Sequence, residues 1–511
     1  MMEGMSDVAP TAPAHPWITR SWFTPSGVLV AEATPGLEPR EVFAAWSTLP
    51  HSIFLDSALT DAPGDDEGPA IRLGRHSFVT ADPIHVERAD AAGPAADAVA
   101  LAAATDRLRH LLADLTAPSI PGLPPFQGGL AGFCSYECGL ALLGVAAPPG
   151  RDPALPLFTL GVYDVVYGHD HDAGRGWFIS QGLPARGPAA RRARAVERLA
   201  AVCAAATTPR TAVPLPSTTA ASGGVPLPGH PGVTTSHSRD AYLDMVARAI
   251  DLIRAGDVFQ VNVAQRFAVA APTDPVALHA LARAANPAPF AACLDLGGAW
   301  LASMSPERFL QVARRTVRMH PIKGTRRVTD RPEADLHAGA DLQASAKDRA
   351  ENVMIVDLVR NDLARVCTPP SVRVEALCRL ERYRYVQHLV SIVAGRLRPG
   401  LGPLDAFLAA LPAGSVTGAP KHRACEIISD LEGFARGAYC GSVGYVGFDG
   451  AADFNLLIRT LVSGPNGLSF AAGGGITAAS DPAAEYAESL HKAEGILRVI
   501  AALRDPTEQP T

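Results

Sequence analysis

One long segment interrupts the chain of 511 residues: Thr207–Thr235 is rich in Pro, Thr, Ser and Gly and almost free of charge. Such a composition is typical of a linker or an exposed insertion rather than of a helix or strand. It leaves two kinds of fold open. Either two domains flank a hinge, or distant halves of the chain build one unit around an inserted loop.

Both sides of this segment mix helical and strand-like patterns, which predicts an α/β or α+β fold. Residues 52–55 read as a strand, and Ala-rich residues 97–115 as a helix with Asp97 as its N-cap. Ser238 is expected to cap a second helix that Gly256 ends. The predicted organisation is a disordered tail at 1–16, an N-terminal region at 17–206, the linker or insertion at 207–235 and a C-terminal domain at 236–503.

Composition excludes several classes of protein. A hydrophobic fraction of 48% supplies ample core, and a net charge of −6 without a basic block argues against a nucleic-acid surface. No apolar run is long enough to span a membrane, and the N-terminus lacks the pattern of a secretory signal. The eight cysteines form no Cys-x-x-Cys pair, so we expect reduced, buried thiols in a soluble cytoplasmic enzyme.

Common catalytic motifs are absent from the sequence. Residues 414–421 resemble a phosphate loop, but three residues instead of four separate the glycines and a proline intervenes. The glycines of 441–447 do not match the dinucleotide fingerprint. There is no Gly-x-Ser-x-Gly or His-Glu-x-x-His pattern either. Nucleotide hydrolysis, serine hydrolysis and zinc hydrolysis are therefore disfavoured.

Two groups of carboxylates share helix faces. Asp348 and Glu351 lie three residues apart, and Glu485, Glu488 and Lys492 form one stripe of a helix that Asp481 is expected to cap. Each stripe alone is typical of a solvated charged face. If the two faces meet, they supply the oxygen ligands that Mg²⁺ takes together with water and an anionic substrate.

Three further features are candidate anion or nucleophile sites. The glycines 473–475 predict either an amide cradle for a carboxylate or a tight turn. Arg459 lies in a strand-like apolar run and therefore requires an anionic ligand or a carboxylate partner. Lys323, between an apolar residue and a glycine with cations nearby, is either a surface lysine in a turn or an amine whose neutral, nucleophilic form is favoured.

In combination, the motifs resemble those of the chorismate-utilising enzymes. They follow one another in family order between about residues 238 and 500: 305–309, 321–326, 350–363, 387–391, 414–421, 439–445, 458–460 and 473–477. The N-terminal half matches more loosely, at 74–78 and 127–132. The resemblance implies an α+β fold: a large two-subdomain α/β sandwich of two facing antiparallel β-sheets flanked by helices. Its chorismate-binding catalytic domain would be 236–503.

Within that family, the residue at position 323 distinguishes one group of enzymes from the others. Anthranilate synthases and isochorismate-forming relatives have Pro-Ile-Ala-Gly-Thr where this chain has Pro321-Ile322-Lys323-Gly324-Thr325. The lysine is similar to that of the large components of aminodeoxychorismate synthases, which act in p-aminobenzoate and folate synthesis. The resemblance implies that Lys323 is the nucleophile that adds to ring C2 of chorismate, and Glu307 the acid for the leaving hydroxyl.

The resemblance also implies the other site residues and the cofactor. Mg²⁺ would be held by Glu351 and Glu488, with Asp348 and Glu485 behind them or bound through water. His388 would lie near the ring, with an open role. The substrate-binding residues would be Gly324, Thr325, Tyr439, Arg459, Gly473, Gly475 and Lys492.

The chain has no Gly-x-Cys-x-Gly pattern of a glutamine amidotransferase. The expected partners are therefore chorismate, ammonia and a separate glutamine amidotransferase subunit (component II), with no nucleic acid and no membrane. Three alternatives stay open: anthranilate synthase component I, a secondary-metabolite branch that forms the same product, and a non-catalytic chorismate-binding or regulatory subunit. The last is disfavoured because Lys323, Glu351, Glu488 and Arg459 are all present.

Overall fold

The computed structural model describes residues 14–59, 73–90, 92–152, 154–205, 224–271, 273–329, 332–382 and 386–504. The predicted disordered tail therefore lies largely outside the described residues. The helices are α1 (Pro39–Trp46), α2 (Pro94–Asp114), α3 (Tyr136–Leu143), α4 (Pro188–Ala205), α5 (Arg239–Arg254), α6 (Pro275–Ala285), α7 (Pro332–Ala344), α8 (Ala346–Ala364), α9 (Pro403–Ala410), α10 (Lys421–Glu432) and α11 (Pro482–Arg504).

The strands are β1 (Ile18–Phe23), β2 (Leu29–Ala33), β3 (Ile53–Asp56), β4 (His76–Thr80), β5 (His85–Ala89), β6 (Gly129–Cys134), β7 (Phe158–Tyr163), β8 (Val165–Asp170), β9 (Arg175–Ser180), β10 (Val225–Pro226), β11 (Val233–Thr235), β12 (Gln260–Val269), β13 (Phe290–Asp295), β14 (Trp300–Ser305), β15 (Arg308–Ala313), β16 (Thr316–Met319), β17 (Ile322–Arg327), β18 (Arg373–Arg382), β19 (Val386–Arg396), β20 (Gly418–Ala419), β21 (Ser442–Gly447), β22 (Ala452–Asn455), β23 (Thr460–Gly464) and β24 (Gly467–Ile476). This is an α+β fold.

Two antiparallel sheets contain these strands. The 14-stranded sheet runs β1-β2-β9-β8-β4-β3-β13-β14-β23-β24-β12-β11-β10, with β20 beside β12. The 10-stranded sheet runs β17-β19-β16-β15-β22-β21-β6-β7-β5, with β18 beside β19. The predicted pair of antiparallel sheets flanked by helices is confirmed.

Strands from before and after the low-charge segment are neighbours in both sheets. In the larger sheet β3 pairs with β13, and in the smaller sheet β6 pairs with β21. Residues 225–226 and 233–235 of the predicted linker are themselves strands, and β11 extends the larger sheet beyond β12. Both halves therefore build one unit, and the linker prediction was wrong for its C-terminal end because that stretch pairs along a sheet edge.

The inner faces of the two sheets share a hydrophobic core. Phe78 and Leu301 of the larger sheet are buried in one cluster with Phe133 and Tyr445 of the smaller sheet. The Phe78 and Tyr445 rings meet edge to face with centroids 5.7 Å apart. Aromatic contacts of this kind add to the stabilisation from buried apolar area, so they help to hold the two sheets against one another.

The predicted helix starts are confirmed where a short polar side chain caps the helix. Ser238 Oγ accepts a hydrogen bond from Ala241 N at 3.2 Å, and Asp481 Oδ1 accepts one from Ala484 N at 2.9 Å. The prediction for Asp97 was wrong: α2 begins at Pro94, and the Asp97 carboxylate instead accepts a hydrogen bond from Ala92 N. Proline has no backbone N–H that would need an acceptor in the first turn, so the helix can start at Pro94 without a side-chain cap.

All eight cysteines are buried and none is paired in a disulfide, as the sequence predicted. Among the described helices, none has both the length and the apolar character that crossing a membrane requires.

Candidate active site

Lys323 lies on β17, whose register against β19 shifts between Lys323 and Thr325. Gly324, at the shift, has a φ of +79°, and a Cβ there would lie 2.8 Å from Leu342 Cδ1. Only glycine accepts this conformation and this close approach readily, and a bulge of this kind redirects the neighbouring side chains. The prediction of a surface lysine in a turn was therefore wrong, because sheet pairing places Lys323 in a strand.

Lys323 is half-buried within a group of charges. Burial has the largest effect and lowers the pKa of Lys323 below its ordinary value. The carboxylates of Glu351, Glu307 and Glu488 oppose that shift. The ammonium group of Lys492 lowers the pKa of Lys323 further. The lowered pKa gives the amine more of the neutral form that nucleophilic attack needs.

Glu307 lies between β14 and β15 and is buried, with 8% of its surface exposed. Burial raises the pKa of Glu307 to about 7, although Ser415 and Lys323 both lower it. Ser415 Oγ donates a hydrogen bond to Glu307 Oε1 at 3.0 Å. A carboxyl group with a pKa near neutrality can hold a proton and release it during a reaction, which suits a general acid.

His388 lies on β19 directly opposite Thr325, whose backbone is in the sheet but whose side chain lies outside the description. Burial, together with the charge of Arg459, lowers the pKa of His388 to about 4, although a hydrogen bond with the Gly324 backbone opposes the shift. The imidazole is therefore neutral at pH 7. His388 therefore interacts both with the backbone of the strand that contains Lys323 and with the charge of Arg459.

Arg459 precedes β23 and is not inside a strand, which corrects the prediction of a cation within a strand. Its φ is +52°, and its carbonyl oxygen accepts a hydrogen bond from Met304 N at 3.0 Å. A positive φ is uncommon at a residue with a side chain and marks a backbone that its surroundings hold. The kink brings the guanidinium close enough to His388 to lower the pKa of that imidazole.

Helix α8 brings Glu351 to the lysine. Ser345 caps α8 by accepting a hydrogen bond from Asp348 N at 3.2 Å, and Asp348 is 3.4 Å from Arg326 Nη2. Burial raises the pKa of Glu351; Lys323 opposes the shift, whereas Asp348 and Glu488 increase it. The influence of Glu488 on the pKa of Glu351 indicates that a carboxylate of α11 lies near this carboxylate of α8. Their role as metal ligands stays a prediction.

Glu485 and Glu488 of α11 lie over strand β24. A Cβ on Gly474 would be 3.0 Å from Glu485 Oε2 and 3.5 Å from Glu488 Oε1. Ser480 Oγ donates to Glu485 Oε1 at 2.6 Å, but Glu485 Oε2 is buried without a hydrogen-bond partner among the described residues. Burial raises the pKa of Glu485, and Glu488 adds to the shift. The absence of a side chain at Gly474 is what admits both carboxylates.

The carboxylates of α8 and α11 are the type of ligand that Mg²⁺ prefers. Within the described part of the chain, no three His, Cys, Asp or Glu side chains form a ready-made metal cage. Mg²⁺ commonly takes one or two carboxylates, several waters and oxygens of an anionic substrate. Glu351 and Glu488, which repel one another electrostatically, and the unpartnered oxygen of Glu485 supply that kind of donor set. Mg²⁺ stays a prediction.

The glycines 473–475 lie inside β24, so the prediction of a tight turn was wrong. Gly473 is opposite Ala264 of β12, and a Cβ on it would lie 2.0 Å from Val263 O. Lys492 Nζ donates to Gly473 O at 3.0 Å and lies 2.7 Å from Glu488 Oε1. The described pairing of β23 with β24 ends at Ser469, so this part of β24 continues beyond its neighbour toward Arg459. Substrate binding by Gly473 and Gly475 stays a prediction.

Tyr439 is half-buried in the loop after α10, and a buried ion pair supports it. The Arg436 guanidinium lies between the rings of Tyr136 and Tyr439, 4.8 and 5.4 Å from their centroids. It bonds to both carboxylate oxygens of Glu432, through Nε at 2.9 Å and Nη2 at 2.6 Å. Arg436 Nη1 also donates to Val416 O at 2.9 Å. The pair therefore fixes Tyr439 relative to the segment that contains Ser415.

Sequence reasoning missed Glu432, Arg436, Asn262 and Ser415. Ser415 lies in a segment that the motif analysis had singled out, at 414–421, but only the fold shows what it contacts. Asn262 Nδ2 donates to Ser415 O at 3.2 Å. The spacing of Glu432 and Arg436, four residues apart, is common in helices and carries no functional signal in the sequence.

Known proteins share both the sequence and the fold. The family model of the chorismate binding enzymes matches residues 75–498. Anthranilate synthase component 1 of Streptomyces coelicolor is 40% identical over 77% of this chain and 76% of its own. Aminodeoxychorismate synthase component 1 of Salmonella typhimurium is 36% identical over 73% of this chain and 77% of its own.

A solved structure of a related protein has the same fold. Anthranilate synthase component I from Streptococcus pneumoniae superposes with a TM-score of 0.67 at 28% identity and covers 84% of this chain and 93% of its own. The motifs, the two-sheet fold and the matched range all lead to the same assignment. The chain belongs to the chorismate-binding enzyme family and is a chorismate-utilising enzyme.

Proposed function

We propose that the protein is the chorismate-converting component of an aminodeoxychorismate synthase. It would turn chorismate and ammonia into 4-amino-4-deoxychorismate and water. The observation that carries the proposal is Lys323: a half-buried amine with a lowered pKa, aimed by the Gly324 bulge into the charges of Glu307 and Glu351. Similarity to the Salmonella typhimurium aminodeoxychorismate synthase component 1 supports it.

The proposed reaction has two displacements. In the first, Lys323 Nζ forms a bond to ring C2, both ring double bonds shift by one position, and the C4–O bond breaks while Glu307 gives its proton to the departing hydroxyl. In the second, ammonia forms a bond to C4, both ring double bonds shift back, and the C2–N bond to Lys323 breaks. The proton lost by the new ammonium group restores Glu307, so chorismate and ammonia give the product and water.

The other predicted site residues hold the substrate. Arg459, Tyr439 and Lys492 would bind its carboxylates, together with the backbone of 324–325 and 473–475. Glu351 and Glu488, with Asp348 and Glu485 beside them, would hold Mg²⁺, which supplies charge neutralisation for the ring carboxylate when bound. His388, neutral at pH 7, would hydrogen-bond near the ring rather than carry charge.

Ammonia would come from a glutamine amidotransferase subunit. The relatives are named component 1, which is consistent with a second component. The product would serve p-aminobenzoate and folate synthesis, or a secondary-metabolite branch that uses the same compound.

The second candidate function is that of an anthranilate synthase component 1. The similarity to the Streptomyces coelicolor protein, at 40% identity, favours it. Formation of anthranilate would need loss of the pyruvyl side chain and would give lysine no covalent task. The two functions therefore differ in product and in their need for Lys323.

Product analysis tests the proposal. The full chain is incubated with chorismate, MgCl₂ and ammonium chloride, and the products are separated and identified by mass and by anthranilate fluorescence. We expect 4-amino-4-deoxychorismate from the wild type and none from Lys323→Ala. Anthranilate as the main wild-type product would overturn the proposal.

A covalent adduct tests the role of the lysine. Incubation with chorismate and MgCl₂ without ammonia, followed by acid quenching and peptide mass analysis, is expected to show the dehydrated substrate on Lys323. Lys347→Ala is the matched control, because it removes another lysine near Glu351 and leaves the adduct in place. An unmodified Lys323 peptide in a protein that makes the product would show that the lysine is not the nucleophile.

A further inference from the structure

We propose that Ser415 is a positioning residue that orients the Glu307 carboxyl group for proton transfer to the departing hydroxyl. The inference deepens the proposed function, because it gives that reaction a residue that the family motifs left without a role. It rests on the contact geometry of Glu307 and of the turn that contains Ser415.

The backbone of Glu307 is fixed on both sides. Glu307 N donates to Ser305 Oγ at 3.2 Å, and Ser305 Oγ donates to Leu456 O at 2.6 Å. Leu456 N in turn donates to Glu307 O at 3.1 Å. These contacts hold the main chain but leave the carboxyl group free to rotate about its side-chain bonds.

Ser415 supplies the missing restraint. Its Oγ donates to Glu307 Oε1 at 3.0 Å, which is the one hydrogen bond that the described residues give this carboxyl group. This bond is strongest when the carboxylate is ionised, and in the protonated acid it still favours the rotamer that keeps Oε1 next to Ser415. With Oε1 engaged, Oε2 becomes the atom available to carry the proton toward the substrate.

The turn at 414–417 is held rigidly enough to aim the hydroxyl. Asn262 Nδ2 donates to Ser415 O at 3.2 Å, and Asn262 N donates to Thr417 O at 2.7 Å. The buried Arg436 donates to Val416 O at 2.9 Å. Strand β12 and the Glu432–Arg436 pair therefore fix the turn from two directions.

Ser415 also affects the acidity of Glu307. Burial raises the pKa of Glu307 to about 7, and the hydrogen bond from Ser415 opposes that shift by stabilising the carboxylate. The charged and titratable groups that face Glu307 are Lys323 on β17 and the Cys440 thiol in the loop after α10. Its neighbour Arg308 has its guanidinium bound to Asp453. Without the hydroxyl, Glu307 becomes a weaker acid.

Two substitutions at Ser415 test the proposal in the full-length protein. For Ser415→Ala we expect kcat with saturating chorismate, ammonium and MgCl₂ to fall roughly tenfold or more, with the KM for chorismate unchanged. The alkaline limb of the kcat profile should move to higher pH, because Glu307 loses the bond that stabilises its ionised form. Ser415→Thr, which keeps a hydroxyl, should restore most of kcat and the original limb.

Ser463→Ala is the matched control, because Ser463 is a buried serine whose hydroxyl has no hydrogen-bond partner among the described residues. It should leave kcat and the pH profile unchanged, and all variants should remain folded at the assay temperature. An unshifted alkaline limb in Ser415→Ala, or failure of Ser415→Thr to rescue, would overturn the proposal. Product identity in the wild type tests the proposed function separately, since either product requires loss of the C4 hydroxyl.

Discussion

Two groups of buried charge in this protein differ in how completely they are paired. The Glu432 and Arg436 side chains are each 1% exposed, and their bonds reach one another, Val416 O and Asn262 O. Around Lys323, by contrast, no salt bridge or hydrogen bond joins the ammonium group to a described residue.

The difference separates charges that hold the fold from charges that await a ligand. A buried ion with all its hydrogen bonds made is stable in place, and removal of one partner is costly. A buried ion without hydrogen bonds destabilises the fold. Proteins keep such ions at sites where a substrate or metal supplies the missing contacts. Substitution of each group by an apolar residue of similar length should therefore have opposite consequences.

The largest effect is expected from Lys323→Met. The product-forming rate should fall by roughly 10³-fold or more, because the proposed nucleophile is lost. The free energy of unfolding in urea should stay equal or rise, since a half-buried ammonium group without hydrogen bonds to described residues is replaced by an apolar chain. A large loss of stability would show that Lys323 is a structural charge and would remove the contrast.

Arg436→Met should produce the reverse. Glu432 would be left buried without its partner, so the free energy of unfolding should fall by about 3–5 kcal/mol, measured by urea denaturation. The double variant Glu432→Gln with Arg436→Met should recover part of that loss, because it removes the uncompensated carboxylate. A loss below 1 kcal/mol, on the order of an exposed ion pair, would contradict the role assigned to this pair.

The pH dependence of the rate tests the role of the Glu307 carboxyl group next to Lys323. Glu307 must be protonated to act as the acid, and its pKa is about 7, so kcat should fall roughly tenfold per pH unit above that value. The raised pKa also means that the free energy of unfolding falls as the pH rises from the ordinary value of 4.5 to about 7. In Glu307→Gln that decline should become smaller, although Glu351 and Glu485, whose pKa values are also raised, still contribute to it. A kcat independent of pH up to 9 would exclude Glu307 as the acid.

The smallest effect is expected from Gly474→Ala. The new Cβ would lie 3.0 Å from Glu485 Oε2, so the carboxylates must shift and the MgCl₂ concentration for half-maximal rate should rise a few-fold. Stability should change little, because the side chains of α11 can move. Gly473→Ala is the contrast: its Cβ would meet Val263 O at 2.0 Å, so the sheet should be destabilised. Equal unfolding curves for the two variants would contradict this distinction.

Much of the local structure could be predicted from the sequence. The caps at Ser238 and Asp481 depend only on neighbouring residues, and both predictions are confirmed. The family resemblance is confirmed as well, because many ordered motifs identify a fold without any knowledge of its contacts. The roles of the individual site residues stay predictions.

The predictions that failed concern residues whose environment comes from distant parts of the chain. Lys323 appeared in a turn because glycine follows it, whereas its strand forms by pairing with β19. The glycine run 473–475 also appeared as a turn, whereas β12 and α11 pack too closely against it for larger residues. Glycine signals a special backbone need, but the sequence does not say whether a turn or a close contact creates it.

By itself, the sequence determined the family, the mixture of helices and strands, the caps and the residues available for chemistry, since each depends on local pattern or on ordered motifs. Tertiary structure alone decided that residues 225–226 and 233–235 join a sheet, that Glu351 of α8 and Glu488 of α11 both lie close enough to Lys323 to affect its pKa, and that Ser415 reaches Glu307. Those facts depend on contacts between residues that are far apart along the chain, 36 positions for Val233 and Val269 and 108 for Ser415 and Glu307. They also depend on burial, which changes a pKa only once the chain has folded.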